Sequence, residues 1–380
     1  MILPYHPFTK EEHMMWVTYF KHYLTDVFPR FLNEKPWNYK NDLCIVGARD
    51  LTAASGDTAY LDVIRPYSDH LLAEDGSIRN FPAGEHNIDK VSFAKSLRIY
   101  RDLTGDGRFE AALGKCESTL FDYPRTETGN FWHKDIYPNQ VWLDGLYMGL
   151  PVYAAYSVEH KADKLEDILG QFRTAHSLLY NPALGLYMHA NDCSRRMDWA
   201  NPVTGQSPTV WLRAEGWFLM ALVDVYEIIK EQTPAAKELC EFLSNALLGL
   251  LPYQQAETKM FLQIPNLPDE PLNYPETSGS AMVAYALMKG ARLGMIPVSC
   301  WHLGEEILTG IEKTYLRKDG ENYYLYGTCA SAGLGPGPDH RTDRDGTIRY
   351  YLSEKQMVDN QHGAAACMMA FSEYLYGAPN

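Results

Sequence analysis

The sequence has few cysteines, and they follow no pattern that indicates a bridge or a metal site. There are seven, an odd number, scattered between positions 44 and 367, and no two form a CxxC pair. That spacing argues against both a disulfide framework and a zinc site. No stretch approaches the ~20 uninterrupted apolar residues of a membrane-spanning helix. The opening residues, MILPYHPFTKEEHMMW, also lack the basic segment and apolar run of a signal peptide. We therefore expect a protein of the reducing cytoplasm.

Positive charge is also scarce. The 34 Lys and Arg residues are outnumbered by 48 Asp and Glu residues, which gives a net charge of −14. This balance argues against nucleic acids and anionic membranes as partners, because both attract basic surfaces. A small anionic substrate stays possible if a few cations gather around it. Aromatic residues make up 13% of the chain. Most will fill the core, but their abundance suits a carbohydrate site, where flat rings stack on sugars.

Helical periodicity dominates the chain, and alternating, strand-like stretches are scarce. With 380 residues, of which 46% are hydrophobic, the chain can form one large core, and we expect a single domain over residues 1–380. Twelve helices are predicted, at residues 10–28, 42–55, 57–74, 89–104, 106–122, 143–158, 161–179, 209–231, 234–252, 276–292, 297–315 and 360–375.

The connections between these helices alternate in length. Short turns such as Gly56-Asp57 and Gly105-Asp106 set Gly at a helix C-terminus and Asp at the next N-cap. The long links are residues 29–41, 75–88, 123–142, 180–208, 253–275 and 316–359. Short turns make neighbouring helices antiparallel, so six hairpins arise whose long loops gather at one end. The pattern predicts an all-α fold, an (α/α)6 barrel, with its site among the long loops.

Each long loop leads to the first residues of every second helix, and several of these starts are charged. N-terminal capping accounts for Asp42 and Asp359, but hardly for Asp144. Asp144 lies in the apolar stretch VWLDGLYMGLP, with Met148 one turn further on the same face. Loss of hydration would raise the pKa of this carboxyl, which could then act as general acid and afterwards as general base. A buried, hydrogen-bonded structural aspartate is an equally good interpretation.

Two further helix starts carry candidates. Asp89 is interpreted as a helix cap unless it faces the cavity opposite Asp144. Arg213 stands between Trp211 and Trp217, a combination that suits a sugar carboxylate, with rings for the pyranose and a guanidinium for the anion. The alternative for Arg213 is a cation–π pair at a helix end.

Three residues of the long loops could supply local positive charge. His133 and Lys134 lie in the third long loop and His189 lies in the fourth. Each by itself is typical of a surface loop, but with Arg213 they could provide the field that an anionic substrate needs. The last long loop contains GLGPG at residues 333–337, followed by charged residues, and this composition predicts a mobile lid or a linker. No Walker lysine follows these glycines, which argues against a phosphate-binding loop.

Taken together, several segments resemble the unsaturated rhamnogalacturonyl hydrolases of glycoside hydrolase family 105. They occur in family order from about residue 40 to the end of the chain, and the ordered set is more specific than any one motif. The segments are NID at 87–89, VWLDGLYM at 141–148, WLRAEGW at 211–217, ETSGSA at 276–281, CASAGLG at 329–335, YYLSE at 350–354 and VDN at 358–360. The pair Ala214-Glu215 departs from the family pattern, and Glu215 either adds charge near the site or points away from it.

The resemblance implies an (α/α)6 barrel that acts on the 4,5-unsaturated uronic acid left at a chain end by polysaccharide lyases. It implies that Asp144 protonates carbon 4 and helps water add at carbon 5, while Asp89 holds the sugar or the water. It further implies a uronate subsite, with no metal and no cofactor. The residues implied for substrate binding are His133, Lys134, Trp142, Met148, His189, Trp211, Arg213 and Trp217.

Other functions stay open at this stage. The related unsaturated glucuronyl hydrolases, acting on glycosaminoglycan or ulvan fragments, are the nearest alternative, and the linked sugar need not be rhamnose. A sugar epimerase on the same barrel would require a pair of histidines, and no convincing pair is evident in the sequence. A catalytically silent binding protein is the third possibility.

Overall fold

The computed structural model describes residues 10–35, 37–79, 81, 84–336 and 341–379. Residues 1–9, which bear on the expected lack of a signal peptide, lie outside the described residues, as do residues 337–340 of the last long loop. No helix within the described ranges combines the length and apolar character needed to cross a membrane.

The described residues form sixteen α-helices, some of them a single turn long. They are α1 (Lys10–His22), α2 (Phe28–Glu34), α3 (Tyr39–Ser55), α4 (Ala59–Asp62), α5 (Ser68–Leu71), α6 (Ile88–Val91), α7 (Phe93–Thr104), α8 (Gly107–Ser118), α9 (Leu143–Glu159), α10 (Leu165–Leu179), α11 (Leu212–Ile229), α12 (Lys237–Leu250), α13 (Thr277–Arg292), α14 (Ser299–Tyr315), α15 (Ile348–Ser353) and α16 (Gln361–Tyr376).

Eight short strands pair into four antiparallel two-stranded sheets, all in the long loops. The strands are β1 (Gln140–Trp142), β2 (Tyr180–Asn181), β3 (Leu186–Tyr187), β4 (Ala190–Asp192), β5 (Leu316–Asp319), β6 (Asn322–Leu325), β7 (Thr328–Cys329) and β8 (Gln356–Met357). The pairs are β1–β4, β2–β3, β5–β6 and β7–β8.

The inner ring has six positions, one of which is shared by α6 and α7: α3 packs on α7, α6 on α9, α9 on α11, α11 on α13, α13 on α16 and α16 on α3. The remaining long helices, α1, α8, α10, α12 and α14, lie outside the ring. Long loops lead into α6, α9, α11, α13 and α16, and the N-terminal turns of α3, α6 and α9 line one cavity at the loop end. This arrangement confirms the predicted (α/α)6 barrel of six hairpins.

Local sequence signals explain the tight turns of the barrel. Gly56 and Gly105 end α3 and α7 with φ of 73° and 69°, the left-handed conformation that glycine adopts without strain. Asp106 caps α8 by accepting a hydrogen bond from the Arg108 N–H at 2.9 Å. These two Gly-Asp turns therefore form as predicted.

The capping assigned to Asp42 and Asp359 is wrong. Asn38 caps α3 instead, and Asp42 accepts hydrogen bonds from the Ser92 and Ser96 side chains, so that it joins α3 to α7. Asp359 accepts the Leu325 N–H at 2.9 Å. In both cases a neighbouring asparagine takes the cap, which leaves the carboxylate for a tertiary contact.

Four predicted segments differ in the structure. The link predicted over residues 29–41 is largely helical, because it contains α2 and the first turn of α3. The helix predicted over residues 57–74 breaks around Pro66, which has no N–H for a helix interior, into α4, a 3-10 turn and α5. The helix predicted over 89–104 divides at Ser92. The last long loop is wrongly predicted as irregular in its described part, because it contains a hairpin, a second strand pair and α15.

The barrel has a cavity at each end. The loop-end cavity measures about 530 Å³ and is lined by the N-terminal turns of α3, α6 and α9 with parts of the long loops. The far-end cavity measures about 730 Å³ and is lined by residues of α3, α4, α7, α9, α11 and α13, most of them in the C-terminal halves of these helices. Two consecutive residues of α9, Tyr147 and Met148, line different cavities. The two spaces therefore approach each other inside the ring.

Candidate active site

The loop-end cavity brings Asp144 and His189 together. Asp144 lies in the first turn of α9, directly after β1, and β1 pairs with β4, which begins immediately after His189. As a result, Asp144 Oδ2 lies 3.1 Å from His189 Nε2. The other ring nitrogen, His189 Nδ1, lies 2.6 Å from the Tyr351 hydroxyl on α15. A carboxyl group, an imidazole and a phenol therefore form one hydrogen-bonded chain that ends in the cavity.

The protonation state of Asp144 differs from the one that the sequence predicts. Burial raises the pKa of this carboxyl, as expected. The charge and the hydrogen bond of His189, with a smaller contribution from His133, lower it by a larger amount, so the resulting pKa is below its ordinary value. The prediction of a raised pKa is therefore wrong for the unliganded site. The prediction failed because His189, which comes from a different loop, contacts Asp144, and the apolar residues that flank Asp144 in the sequence do not reveal this contact.

Asp89 faces the same cavity as Asp144. The cap of α6 is Asn87, which accepts the Asp89 N–H at 3.2 Å, so the carboxylate of Asp89 is free for other contacts. Lys134 Nζ lies 2.6 Å from Asp89 Oδ2, and the His133 ring lies 3.9 Å from the other oxygen. Asp89 thus lines the cavity together with Asp144, which was the condition for treating it as a functional candidate and not as a helix cap.

His133 does not contribute positive charge. Its ring is buried, and burial lowers its pKa to about 4 in spite of the nearby Asp89. The ring stacks on Trp142, with centroids 4.4 Å apart and planes 6° apart. Trp142 also contacts His189 edge to face at 5.1 Å. The two histidines thus meet around one tryptophan, an arrangement that sequence spacing does not reveal, and the predicted cationic role of His133 is corrected to that of a neutral ring.

Trp142 and Met148 line the cavity, as the resemblance implied, but Trp211 and Trp217 do not. Both of these rings are turned into the barrel core. Trp211 packs against His189 with centroids 4.8 Å apart, and Trp217 stacks on Tyr147 at 4.9 Å. Their assignment as lining residues is therefore wrong in this structure, because the first turn of α11 is covered by α15 and the neighbouring inner helices.

Arg213 is buried behind the cavity, with 1% of its surface exposed. Its Nη1 donates to the Cys329 carbonyl at 2.7 Å and to the Ser278 hydroxyl at 3.0 Å. Among the described residues, Nε and Nη2 have no hydrogen-bond partner. Glu276 Oε1 lies 4.0 Å from Nη1, and the guanidinium lies 4.8 Å from the centroid of the Trp211 ring, so the cation–π pair expected as the alternative is present and the charge has a buried carboxylate partner.

Glu215 points away from the site. It is fully buried, and its Oε1 accepts the Tyr187 N–H at 2.6 Å. Burial raises the pKa of this carboxyl to about 8, so it is protonated at neutral pH. It adds no charge to the cavity, which decides between the two roles left open by the sequence.

Four residues that sequence reasoning missed belong to this region. Tyr39 and Lys40 line the cavity from the first turn of α3. The Tyr39 hydroxyl lies 2.9 Å from Nε2 of His362, in the first turn of α16. The rule that identified Asp89 and Asp144, the first turn of an inner helix, could have found His362, but not Tyr39 and Lys40, because the sequence places both in the link over residues 29–41. Tyr351 carried no such signal, because α15 lies in a segment predicted to be irregular.

Comparison with known proteins identifies the class. The model of Glycosyl Hydrolase Family 88 matches residues 12–377. A solved family 105 glycoside hydrolase from C. acetobutylicum ATCC 824 is 35% identical, covers 92% of this chain and 94% of its own, and has a TM-score of 0.84. Protein Atu3128 of Agrobacterium fabrum is 38% identical over 234 residues, which are 60% of this chain and 98% of that protein. The unsaturated rhamnogalacturonyl hydrolase YesR of Bacillus subtilis is 28% identical over 265 residues, 68% of this chain and 72% of YesR.

The barrel and its carboxylate-bearing cavity are those of a glycoside hydrolase. The chain belongs to the family that the Glycosyl Hydrolase Family 88 model describes, and its solved relatives confirm the resemblance to family 105.

Proposed function

We propose that the enzyme removes a 4,5-unsaturated uronic acid from the non-reducing end of lyase-generated oligosaccharides by hydrating the double bond. The observation that carries this proposal is the pair of carboxylates, Asp89 and Asp144, that line one cavity beside an imidazole bonded to Asp144 at 3.1 Å. A hydration needs one proton to be delivered and another to be withdrawn, and one carboxyl group with a proton-carrying partner can do both.

The proton is held jointly by Asp144 and His189. Burial raises the pKa of the Tyr351 phenol, so its O–H stays in place and can donate to Nδ1 of His189 in the tautomer that carries its proton on Nε2. The Nε2–H of that tautomer then donates to Asp144. When His189 carries a second proton, the hydrogen bond can pass it to Asp144. A bound uronate carboxylate, as a nearby like charge, favours the protonated form of Asp144.

The reaction then proceeds without a covalent enzyme intermediate. Asp144 gives its proton to carbon 4, and the electrons of the double bond form the new C–H bond. Water adds to carbon 5 and returns one proton to Asp144, which leaves a hemiketal. The ring opens between carbon 5 and the ring oxygen, and carbon 1 becomes a hemiacetal that collapses to an aldehyde and releases the linked sugar as an alcohol. Asp89, held by Lys134 at 2.6 Å, positions the sugar or the water.

Rhamnogalacturonan fragments are the substrates that we propose within this chemistry. The support is the relationship to YesR, which is named an unsaturated rhamnogalacturonyl hydrolase and is 28% identical. Unsaturated glucuronyl fragments of glycosaminoglycans or ulvan are the alternative, and the same experiment separates them.

The test follows the ultraviolet absorbance of the conjugated enol-ether acid in lyase digests. The enzyme should bleach this absorbance in a rhamnogalacturonan digest and release a 5-keto uronate product, which lacks the double bond and no longer absorbs. Faster bleaching of a glycosaminoglycan or ulvan digest would transfer the assignment to those substrates. Absence of bleaching with all three digests would contradict the proposed reaction itself.

A further inference from the structure

The charge on the wall of the loop-end cavity is opposite in sign to that of the protein. Its lining contains five basic residues, Lys35, Lys40, Lys90, Lys134 and Arg344, and two acidic ones, Asp89 and Asp144. The whole chain, by contrast, has a net charge of −14. A local excess of positive charge in a strongly acidic protein is costly to maintain unless a ligand uses it.

Some of this positive charge is already neutralised within the protein. Lys134 Nζ lies 2.6 Å from Asp89, and Lys90 Nζ lies 2.5 Å from Glu85. Neither lysine is then available as a free cation for substrate. The remaining lysines, Lys35 and Lys40, have no carboxylate of the described part of the chain within the 4.0 Å of an ion pair.

Lys40 occupies an unfavourable place for an unpaired ammonium group. It lies in the first turn of α3, where the helix dipole repels cations. Its hydrogen-bond acceptor is the Ala330 carbonyl at 3.5 Å, which is a long contact. Burial, with a contribution from Arg213, lowers the pKa of Lys40 to about 8, and Lys35 also lowers it. The Lys40 ammonium is therefore still protonated at neutral pH, and it lies near enough to the cations Arg213 and Lys35 to be affected by their charge.

A single uronate carboxylate does not account for all of these cations. Arg213, buried behind the cavity, has two nitrogens without a hydrogen-bond partner among the described residues, but its charge is paired with Glu276 at 4.0 Å, which leaves Lys35 and Lys40 as the lysines of the lining without a carboxylate partner. Lys40 and the exposed Lys35 extend the positive charge from Arg213 toward the mouth of the cavity. The unsaturated uronate is the end of its chain, so the leaving part of a bound oligosaccharide extends toward solvent, the side on which Lys35 is exposed.

We propose that Lys35 and Lys40 form a second anion subsite, which binds an acidic group on the leaving part of the oligosaccharide. This inference rests on the proposed function and adds a substrate class to it. In rhamnogalacturonan fragments the acidic group is the carboxylate of the next uronic acid, and in sulfated fragments it is a sulfate ester on the adjacent sugar. The chemistry shared by both is a fixed negative charge beyond the scissile bond.

The experiment compares three unsaturated substrates under identical conditions. One is the disaccharide of unsaturated uronate and rhamnose, whose leaving sugar is neutral. The second is the corresponding tetrasaccharide, which contains the next uronate carboxylate. The third is an unsaturated disaccharide with a sulfate ester on the leaving sugar, assayed beside its desulfated form. We expect kcat/KM for at least one acidic substrate to exceed that of its neutral counterpart about tenfold, and this preference to shrink as salt is added.

The variants Lys35→Gln and Lys40→Gln should each reduce the preference, and the double variant should bring the ratio close to one. The ratio is the readout because Lys40→Gln could also slow the neutral substrate through its proximity to Arg213. Lys90→Gln is the matched control, since it removes the same charge from the cavity wall but from an amine already paired with Glu85. It should leave the ratio within about twofold of the wild type.

The outcomes distinguish this inference from the proposed function. Preference for the tetrasaccharide alone identifies the carboxylate as the bound group, and preference for the sulfated disaccharide alone identifies the sulfate. Equal kcat/KM on acidic and neutral substrates would overturn the second subsite while leaving the hydration reaction intact. An equal effect of Lys90→Gln would also overturn it, because a general field rather than a subsite would then explain the preference. Inactivity on every substrate would instead be a failure of the proposed function.

Discussion

The cavities at the two ends of the barrel are both lined by acidic and basic residues, but these charges are balanced and paired at the far end and unbalanced at the loop end. The far-end cavity is the larger, at about 730 Å³ against 530 Å³. Its lining has five basic and five acidic residues, and Lys289 there contacts Asp224 at 2.7 Å and Glu227 at 2.8 Å. The loop-end cavity has a surplus of basic residues, unpaired lysines and two carboxylates at helix starts. Unbalanced charge, rather than cavity size, therefore distinguishes the site.

The direction of the inner helices explains part of this difference. All six N-terminal ends meet at the loop end, so their free N–H groups and the positive ends of their dipoles face that cavity. An anionic sugar is favoured there and disfavoured at the far end, where the C-terminal carbonyls gather. A charged residue at the loop end can thus act on substrate, while its counterpart at the far end holds helices together.

The largest effect should come from the loop end. Asp144→Asn removes the group that carries the proton but keeps its shape, and we expect kcat to fall about 10³-fold. The thermal midpoint should stay within a few degrees of the wild type. Steady-state bleaching assays and a thermal melt would measure the two quantities. A loss of less than tenfold would show that another group supplies the proton.

The equivalent change at the far end should affect stability and not catalysis. Asp224→Asn weakens the bonds to Lys289 and to the Tyr285 hydroxyl at 2.6 Å, so the free energy of unfolding should fall by ~2 kcal/mol. Tyr285→Phe is the matched variant, which removes the hydroxyl that donates to Asp224 and accepts from Lys289, and it should cost ~1 kcal/mol. Both should keep kcat/KM within about twofold of the wild type. A large drop in kcat for either would mean that the two ends are not independent.

A carboxyl group in the barrel wall, near neither cavity, should control how stability depends on pH. Burial raises the pKa of Glu215 from 4.5 to about 8, so between these values the folded state retains a proton that the unfolded state has lost. Stability therefore falls as pH rises through this window, by up to about 1.4 kcal/mol per pH unit.

Glu215→Gln tests this linkage, because the amide keeps an oxygen for the Tyr187 N–H but does not titrate. Denaturant unfolding at several pH values across the window from 4.5 to about 8 should show that the free energy of unfolding depends less steeply on pH in the variant than in the wild type. If wild type and variant had the same slope, Glu215 would not be the group responsible. Activity at neutral pH should be unchanged.

The smallest effect concerns the second bond of His189. Tyr351→Phe removes the hydroxyl 2.6 Å from Nδ1 and leaves the ring in place, and we expect kcat to fall about fivefold with little change in KM. Tyr350→Phe is the matched control on the same helix, since its hydroxyl accepts the Gly333 N–H instead. An equal effect of both substitutions would assign the loss to the loop rather than to His189.

Sequence reasoning worked best where structure depends on nearby residues. Gly56 and Gly105 end their helices because glycine adopts positive φ without strain, and the alternation of short turns and long loops implied the ring. It failed where a residue had two possible partners. Asp42 was assigned to a cap, but Asn38 took that position and Asp42 bonded across to α7.

The sequence predicted where the candidate site lies better than it predicted which of its side chains are charged or buried. Asp89 and Asp144 stand in the first turn of an inner helix, and this position is visible in the sequence. Lys40 stands in such a turn only in the structure, where α3 begins three residues before its predicted start. The neutral ring of His133 and the burial of Trp211 were not visible, because both depend on how loops and α15 cover the ring.

The sequence by itself determined the number and order of the hairpins and the end of the barrel at which the carboxylates gather, since turn chemistry and hydrophobic period act within a few residues. Only the tertiary structure decided that Asp144 is bonded to a histidine 45 residues away, which lowers its pKa where burial alone would raise it. It also decided that Lys90 and Lys134 are paired with carboxylates and that Lys35 and Lys40 have no such partner in the described part of the chain. Electrostatic energies depend on distance in space, and the fold sets those distances between residues that are far apart in the chain.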